Sequence, residues 1–433
     1  VVKKVKEGYK KTEAGIIPNE WNVKTIGDIF EFKNGLNKEK EFFGKGTKII
    51  NYVDVFRNRA LDNNIIQGLV EVSEKEKQLF NTKKGDVFFT RTSETVDEIG
   101  MTAVLLENIN DLVYSGFVLR ARPKTEELDL FYKKYCFSEF YTRKEIMRKS
   151  SCTTRALTSG TLLKDVLIKI PTIKEQQKIA DILSTVDTQI DDTDKLIEKT
   201  KELKKGLMQR LLTKGIGHTE FKITEVGEIP VEWEIITVGK LVTLLKSGLS
   251  RSLKEENVGV PCIRSNNIKE DKLVLNDLKY WYNMDDKGAK IEDYILDEGD
   301  IIVNFINSIS QIGKGCIFNK NDFRTIYTTN LLRIKVDNSK IINTFFYYYI
   351  QTERYRKEIT LITKPAVNQA SFTTVEYKSI KFPVPNLEEQ RLISNILVSV
   401  DTQIEEYENK KSKLEELKKG LMQKLLTGKI RVV

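Results

Sequence analysis

This sequence states much of its content twice, and any fold must accommodate that. Val186-Asp187-Thr188-Gln189-Ile190 returns as Val400-Asp401-Thr402-Gln403-Ile404, and Glu202-Leu203-Lys204-Lys205-Gly206-Leu207-Met208-Gln209 returns as Glu416-Leu417-Lys418-Lys419-Gly420-Leu421-Met422-Gln423. Both matches lie 214 positions apart (400 − 186 and 416 − 202). A match of that length at constant offset marks an internal duplication. Fainter echoes extend it. Tyr9 to Trp21, containing Gly15-Ile16-Ile17-Pro18, answers Phe221 to Trp233, containing Gly227-Glu228-Ile229-Pro230. Gly85-Asp86-Val87-Phe88-Phe89 answers Gly299-Asp300-Ile301-Ile302-Val303, in each case a turn followed by an apolar strand. Tyr141 to Ile146 answers Arg354 to Ile359 more loosely. Two similar units are expected, and a ligand with two parts.

Each copy has two halves of different character. The first alternates short apolar runs with turns rich in Asn, Gly, Ser and Lys, and reads as a strand-rich globular domain with a helix near 127–148. The second has almost no turn formers and reads as one long helix. The expected fold class is α+β. Residues 1–171 and 216–385 form two similar globular domains; residues 172–215 and 386–433 form two helices packed as an antiparallel coiled coil with pseudo-twofold repetition.

The helix signals match between copies. Thr172 precedes Glu175 by three residues and Asn386 precedes Glu389 by three, the pattern of a capping box in which side-chain oxygen and acid satisfy free backbone N–H groups. Pro171 and Pro385 stand before the caps, and Gly215 and Gly428 stand where a left-handed end needs no Cβ. About 40 residues at a 1.5 Å rise give a helix of roughly 60 Å. Apolar positions recur every seven residues: Ile179, Val186, Thr193, Thr200, Leu207 with Leu183, Ile190, Ile197, Lys204, Leu211 in the first copy. The second has Ile393, Val400, Tyr407, Leu414, Leu421 with Leu397, Ile404, Lys411, Lys418, Leu425. This is a heptad seam, imperfect in the middle, and the helix of the other copy is its simplest partner. Gly206 and Gly420 interrupt both helices at one place, where glycine costs about 1 kcal/mol against alanine. A close helix approach, a docked partner or a tolerated kink would each account for them.

Catalytic patterns are missing. One histidine, His218, cannot supply a Ser-His-Asp triad in both halves or a His-rich metal site. There is no phosphate-binding Gly-x-x-x-x-Gly-Lys-Ser/Thr loop, no Gly-x-Gly-x-x-Gly junction, and no Asn- or Asp-Pro-Pro-Tyr tetrapeptide of the kind that holds a target amine. Glu202-Leu203-Lys204 has the Glu-x-Lys form of some nucleases but lies on the heptad helix. Cys136, Cys152, Cys262 and Cys316 are widely spaced, as reduced thiols in a cytoplasmic protein would be. No signal peptide or membrane span is expected. Lys and Arg number 71 against 62 Asp and Glu, a net charge of +9, so an anionic partner is expected, nucleic acid first.

Polar clusters suited to reading DNA follow the expected strands. In the first copy these are Arg91, Thr92 and Ser93, then Thr153, Thr154 and Arg155, with a further position near Asn51. In the second they are Asn304 and Asn307, then Lys364, Asn368 and Gln369, then Arg264, Asn266 and Asn267. Arg can bond guanine in a bidentate manner, Asn or Gln adenine, and Ser, Thr and Lys suit phosphates. Equivalent loops carrying different polar residues suit two domains that read different half-sites.

Together these segments resemble the specificity subunits of type I restriction–modification systems. The resemblance spans essentially the whole chain. It is carried by the Gly-x-Ile-Pro-x-x-Trp openings at Gly15 and Gly227, the Pro171–Gln176 and Pro385–Gln390 helix starts, and the two repeated helix motifs. Arg91-Thr92 and Thr153-Thr154-Arg155 are similar to the family's Ser-Arg-Thr and Gly-Thr-Thr segments; Phe305-Ile306 departs from the first. The resemblance implies two target recognition domains, an asymmetric bipartite double-stranded DNA site with an unread gap, and helices that act as ruler and docking site. It implies two modification subunits that use S-adenosylmethionine and restriction subunits that use ATP and Mg. No cofactor and no catalytic role is expected for this chain. A structural adaptor that binds proteins through both domains is the alternative.

Overall fold

A computed structural model describes residues 6–152, 155–319, 323–365 and 369–432. The chain divides into two compact units, Val1–Asp194 with Asn409–Val433, and Lys195–Glu408. Each therefore combines one globular domain, the start of one long helix and the end of the other.

The long helices run Ile173–Lys214 and Leu387–Leu425. Their 42 and 39 residues give about 60 Å each. Gly215 and Gly428 close them with φ of 66° and 70°, conformations that cost a Cβ-bearing residue. Within each unit the helix segments run antiparallel: Asp187 faces Lys418 and Asp194 faces Lys411 in the first, and Lys204 faces Asp401 in the second. Lys204, Lys411 and Lys418 are thus the charged imperfections of the heptad seam, and each is neutralised by an aspartate across it. Ile179, Leu183 and Val186 are buried in the first unit, as are Ile393, Leu397 and Val400 in the second.

The repeated Val-Asp-Thr-Gln-Ile motif has a clear task. Asp187 accepts a hydrogen bond from the Tyr135 hydroxyl at 2.6 Å, and Asp401 accepts one from Tyr348 at 2.7 Å. Burial, then the aspartate, pushes both phenols far above their ordinary range. Each globular domain is clamped to its helix by one Tyr–Asp–Lys chain of charge-assisted bonds.

The helix starts differ from expectation in one respect. Thr172 and Asn386 do cap the N–H groups of Glu175 and Glu389. The acids, however, turn towards the domain. Glu175 accepts from Trp21 Nε1 at 2.8 Å and from Arg431 at 2.5 Å; Glu389 accepts from Trp233 Nε1 at 3.0 Å and pairs with His218 at 2.9 Å. Both indoles are fully buried and need a partner for their N–H. The Gly-x-Ile-Pro-x-x-Trp segment is therefore a plug, locked by the acid of the capping motif.

In unit 1 the main sheet has the order Phe30–Asn34, Val118–Pro123, Val87–Thr90, Thr102–Leu105, Ala60–Leu61; the last pair is parallel. In unit 2 the order is Val242–Ser247, Leu331–Val336, Ile301–Asn304, Gly315–Ile317. Val87, Phe89 and Leu119 pack beneath Trp21, Ile179 and Leu425 in unit 1; Ile301, Val303 and Leu332 pack beneath Trp233, Ile393 and Leu397 in unit 2. The helix expected near 127–148 occupies only Phe140–Lys149, preceded by two 3-10 turns. Glu139 ends the turns by capping Thr142 N–H and binding Lys169 at 2.9 Å. Gly206 and Gly420 have no heavy atom within 4 Å of where a Cβ would sit, so close approach of the helices does not account for them.

Candidate nucleic-acid interface

The strand Val87–Thr90 leaves the main sheet and becomes Arg91, then a second short strand, Thr92–Ser93. That strand pairs with Ala156–Leu157, which pairs with Ser151–Cys152. The small sheet so formed brings Arg91, Thr92, Ser93 and Arg155 together across more than sixty residues of chain. Thr153 and Thr154 lie outside the described residues. Arg91 is fixed by its backbone: its N–H donates to Phe117 O at 3.0 Å and its carbonyl accepts from Thr158 at 2.9 Å. Its side chain lines a cleft of about 440 Å³ that also holds Lys33, Lys124 and Lys164 beside Ser159, the cap of the short helix Gly160–Leu163. Three lysines and Arg91 in one cleft, against the single acid Glu31, suit an anionic ligand such as a nucleic acid.

Ser93 is buried and Arg155 is exposed. Arg155 borders a second concavity with Thr92, Tyr52, Phe56 and Phe117. Burial pushes the Tyr52 phenol above its ordinary value; a hydrogen bond with Ser93 opposes the rise, and Glu98 and Glu94 add to it. Asn51 is outside this concavity. It begins the helix Tyr52–Arg57, where its N–H donates to Asp54 at 2.8 Å, so it positions the two aromatics.

Unit 2 builds the same small sheet from Ile306–Asn307, Ala370–Ser371 and Lys364–Pro365. It brings Asn304, Asn307, Lys364 and Gln369 together; Asn368 lies outside the described residues. Asn304 is wholly buried and accepts from Asn307 Nδ2 at 3.2 Å. Lys364 is held by Glu376 at 2.7 Å, and Gln369 is exposed. Arg264 and Asn266 face a neighbouring cleft of about 630 Å³, with Ser250, Lys287, Thr328 and Asn330. Asn330 joins the two sites, since its carbonyl accepts the Phe305 N–H at 3.1 Å. Asn267 turns inward. It is 2% exposed; its amide donates to Val274 O and Asn276 O, and its oxygen accepts from Arg264 N–H. Asn267 is thus fully engaged within its loop, whereas Asn304 is buried with its oxygen engaged and its Nδ2 without a hydrogen-bond partner among the described residues. Arg264 itself is partly engaged, donating to Asp277.

Phe117, Tyr52, Lys33, Lys124 and Lys164 in unit 1 and Asn330 in unit 2 line these clefts without standing out in the sequence. One signal was present: at the same place in the repeat, Phe117 of Ser115-Gly116-Phe117 is Asn330 of Thr328-Thr329-Asn330, and core positions rarely trade an aromatic for an amide.

Among the described residues no cluster of His, Cys, Asp and Glu could hold a metal ion, and no helix is long and apolar enough to cross a membrane.

Comparison with known proteins decides the family. The type I restriction modification DNA specificity domain matches twice, at residues 18–202 and 230–416. The chain belongs to that family. It is a specificity subunit, the component that carries DNA sequence recognition. It is 29% identical over 439 residues to the putative type I restriction enzyme MjaX specificity subunit of Methanocaldococcus jannaschii, covering 98% of this chain and 97% of that protein. To the MjaVIII specificity subunit of the same organism it is 27% identical over 435 residues, with 98% and 96% covered. Its fold is similar to the crystal structure of the S subunit of a type I system from M. genitalium, with a TM-score of 0.55 at 17% identity over 98% of this chain and 97% of that one.

Proposed function

We propose that this specificity subunit reads an asymmetric, bipartite duplex, one half-site per unit. The single observation that carries the reading is the small sheet that recurs in both units with different side chains on it. Arg91, Thr92 and Arg155 in one stand where Phe305, Ile306 and Gln369 stand in the other. Residues 1–171 and 216–385 act as target recognition domains. Residues 172–215 and 386–433 act as the ruler that sets the unread gap, and they dock two methyltransferase subunits; restriction subunits join that assembly in the cytoplasm. Arg91, Thr92, Ser93, Thr153, Thr154 and Arg155 serve the first half-site. Arg264, Asn266, Asn307, Lys364, Asn368 and Gln369 serve the second, with Asn51, Asn267 and Asn304 shaping the loops.

Physically, recognition divides into two kinds of contact. Lys33, Lys124 and Lys164 neutralise phosphates and release counterions, which gives affinity that falls with salt. Side chains on the small sheets discriminate bases, about 1–3 kcal/mol for each good bidentate contact. The chain itself supplies no catalytic group; a flipped adenine is methylated by the partner with its S-adenosylmethionine. Footprinting the assembled complex on a random-sequence duplex library, with methylated adenines mapped in parallel, tests this. Two protected patches of different sequence, weakening as salt rises, are expected. A single patch, or binding indifferent to salt, would leave a protein-binding adaptor as the better description.

A further inference from the structure

Beside Arg155 and Thr92, unit 1 carries a concavity of about 370 Å³ that differs in kind from the cationic cleft. Its wall is aromatic. Tyr52 and Phe56 stack with centroids 5.5 Å apart and planes at 16°, and Phe117 stands on the rim, 62% exposed. Phe117 is held there by its backbone: its carbonyl accepts from Arg91, and its N–H donates to Ser115 Oγ at 3.3 Å. The ring is therefore tied to the strand that presents Arg91.

Two acids complete the lining, Glu94 and Glu98. Glu98 is engaged by Thr95 at 3.1 Å, whereas Glu94 has no hydrogen bond or ion pair among the described residues. The two acids face a single cation in the lining, Arg155, where the other cleft has four cations to one acid, and carboxylates repel phosphates, so this concavity suits a backbone less well. An ionised carboxylate only accepts hydrogen bonds, so it calls for an amino donor. In the major groove an A·T pair presents both the adenine 6-amino group and the thymine methyl, with thymine O4 between them; a G·C pair presents an amino group and no methyl. An acceptor next to an apolar ring therefore matches A·T.

We propose that the half-site read by unit 1 contains an A·T pair recognised here, with Phe117 packed on the thymine methyl and Glu94 accepting from the adenine amino group. The proposal rests on the DNA-reading assignment and adds the base pair and the residues. Unit 2 cannot make this contact. Asn330, Ser265, Lys269 and Ser308 occupy the places of Phe117, Tyr52, Phe56 and Glu94.

The test uses the complex assembled with its methyltransferase subunits and duplexes bearing its mapped site. Each thymine is replaced in turn by uracil, which lacks only the methyl. At one position in one half-site the wild-type complex should lose about fourfold in affinity, the worth of one buried methyl. Phe117→Ala, a change at an exposed position, should bind weakly and show no further loss with uracil there. Replacing the partner adenine by purine, which lacks the amino group, should weaken wild type and leave Glu94→Ala unmoved. A complex that keeps full sequence preference but tolerates uracil at every position overturns this proposal alone. So does equal uracil sensitivity in wild type and Phe117→Ala. A wild-type complex that prefers no sequence at all overturns the DNA-reading assignment, and this proposal with it.

Discussion

Where the two units meet their helices they are near copies; where they face outward they diverge. Tyr135, Asp187 and Lys418 in the first match Tyr348, Asp401 and Lys204 in the second, atom for atom in their bonding. Trp21 on Glu175 matches Trp233 on Glu389. One step outward the pattern loosens. Asp86 is paired by Arg122, whereas Asp300 is paired by Arg333, the counterpart of Arg120 two residues earlier on the same strand face. At the small sheets little is shared beyond the backbone and the buried Ala156 and Ala370. Side chains that make several simultaneous bonds inside the protein tolerate no exchange, because each loss leaves a buried polar group unpaired. Side chains that end at the surface carry no such constraint and are free to follow the ligand.

That contrast can be broken in several ways. The largest effect belongs to the plugs. Trp21→Ala and Trp233→Ala should each cost about 3–5 kcal/mol in chemical denaturation, through the lost aromatic and an unpaired acid. Markedly unequal losses would mean the frames are not equivalent. Next, Asp187→Asn and Asp401→Asn remove the charge that accepts from Tyr and Lys. Each should cost about 1.5–3 kcal/mol, the worth of bonds to a charged group, again equally. The outward side should behave asymmetrically. Arg91→Ala is expected to relax one half-site by about 1–3 kcal/mol and leave the other intact, read by methylation mapping on sequence libraries. Uniform weakening on all sequences would make Arg91 a phosphate contact instead.

The smallest effect sharpens the picture at Lys364. Its ammonium, followed by the Thr373 cap, holds the Glu376 carboxyl down at about 2, against an ordinary value near 4.5. Because the folded value lies below the unfolded one, the stabilisation is present above about 4.5 and lost as pH falls through about 2. Unfolding midpoints of wild type and Glu376→Gln should therefore differ at neutral pH and converge near pH 2; a gap that persists there would refute the pairing.

Much of the frame was legible in the sequence because it is built from local rules. Heptad spacing, Gly215 and Gly428 at the helix ends, and Thr172 and Asn386 as caps all rest on interactions within a few residues. The capping acids were misjudged because their partners, Trp21 and Trp233, lie about 150 residues away. The outward site was only partly legible for the same reason. Arg91 and Arg155 could be named, but not their meeting on one sheet. Asn267 and Asn304 look like readers in the sequence, yet both side chains are buried, and Asn267 bonds wholly inside the protein.

The sequence by itself determined that there are two units, that each carries a long heptad helix, and which segments repeat and which drift. Periodicity and self-similarity need no third dimension to be seen. Only the tertiary structure decided which drifting residues gather on one outward surface. Pairing Thr92–Ser93 with Ala156–Leu157, and Ile306–Asn307 with Ala370–Ser371, is non-local. That pairing sets Arg91 among lysines and Phe117 beside a carboxylate, while it turns Asn304 inward. A strand's two faces differ by a single residue step, so which face meets the ligand is settled by sheet register and packing.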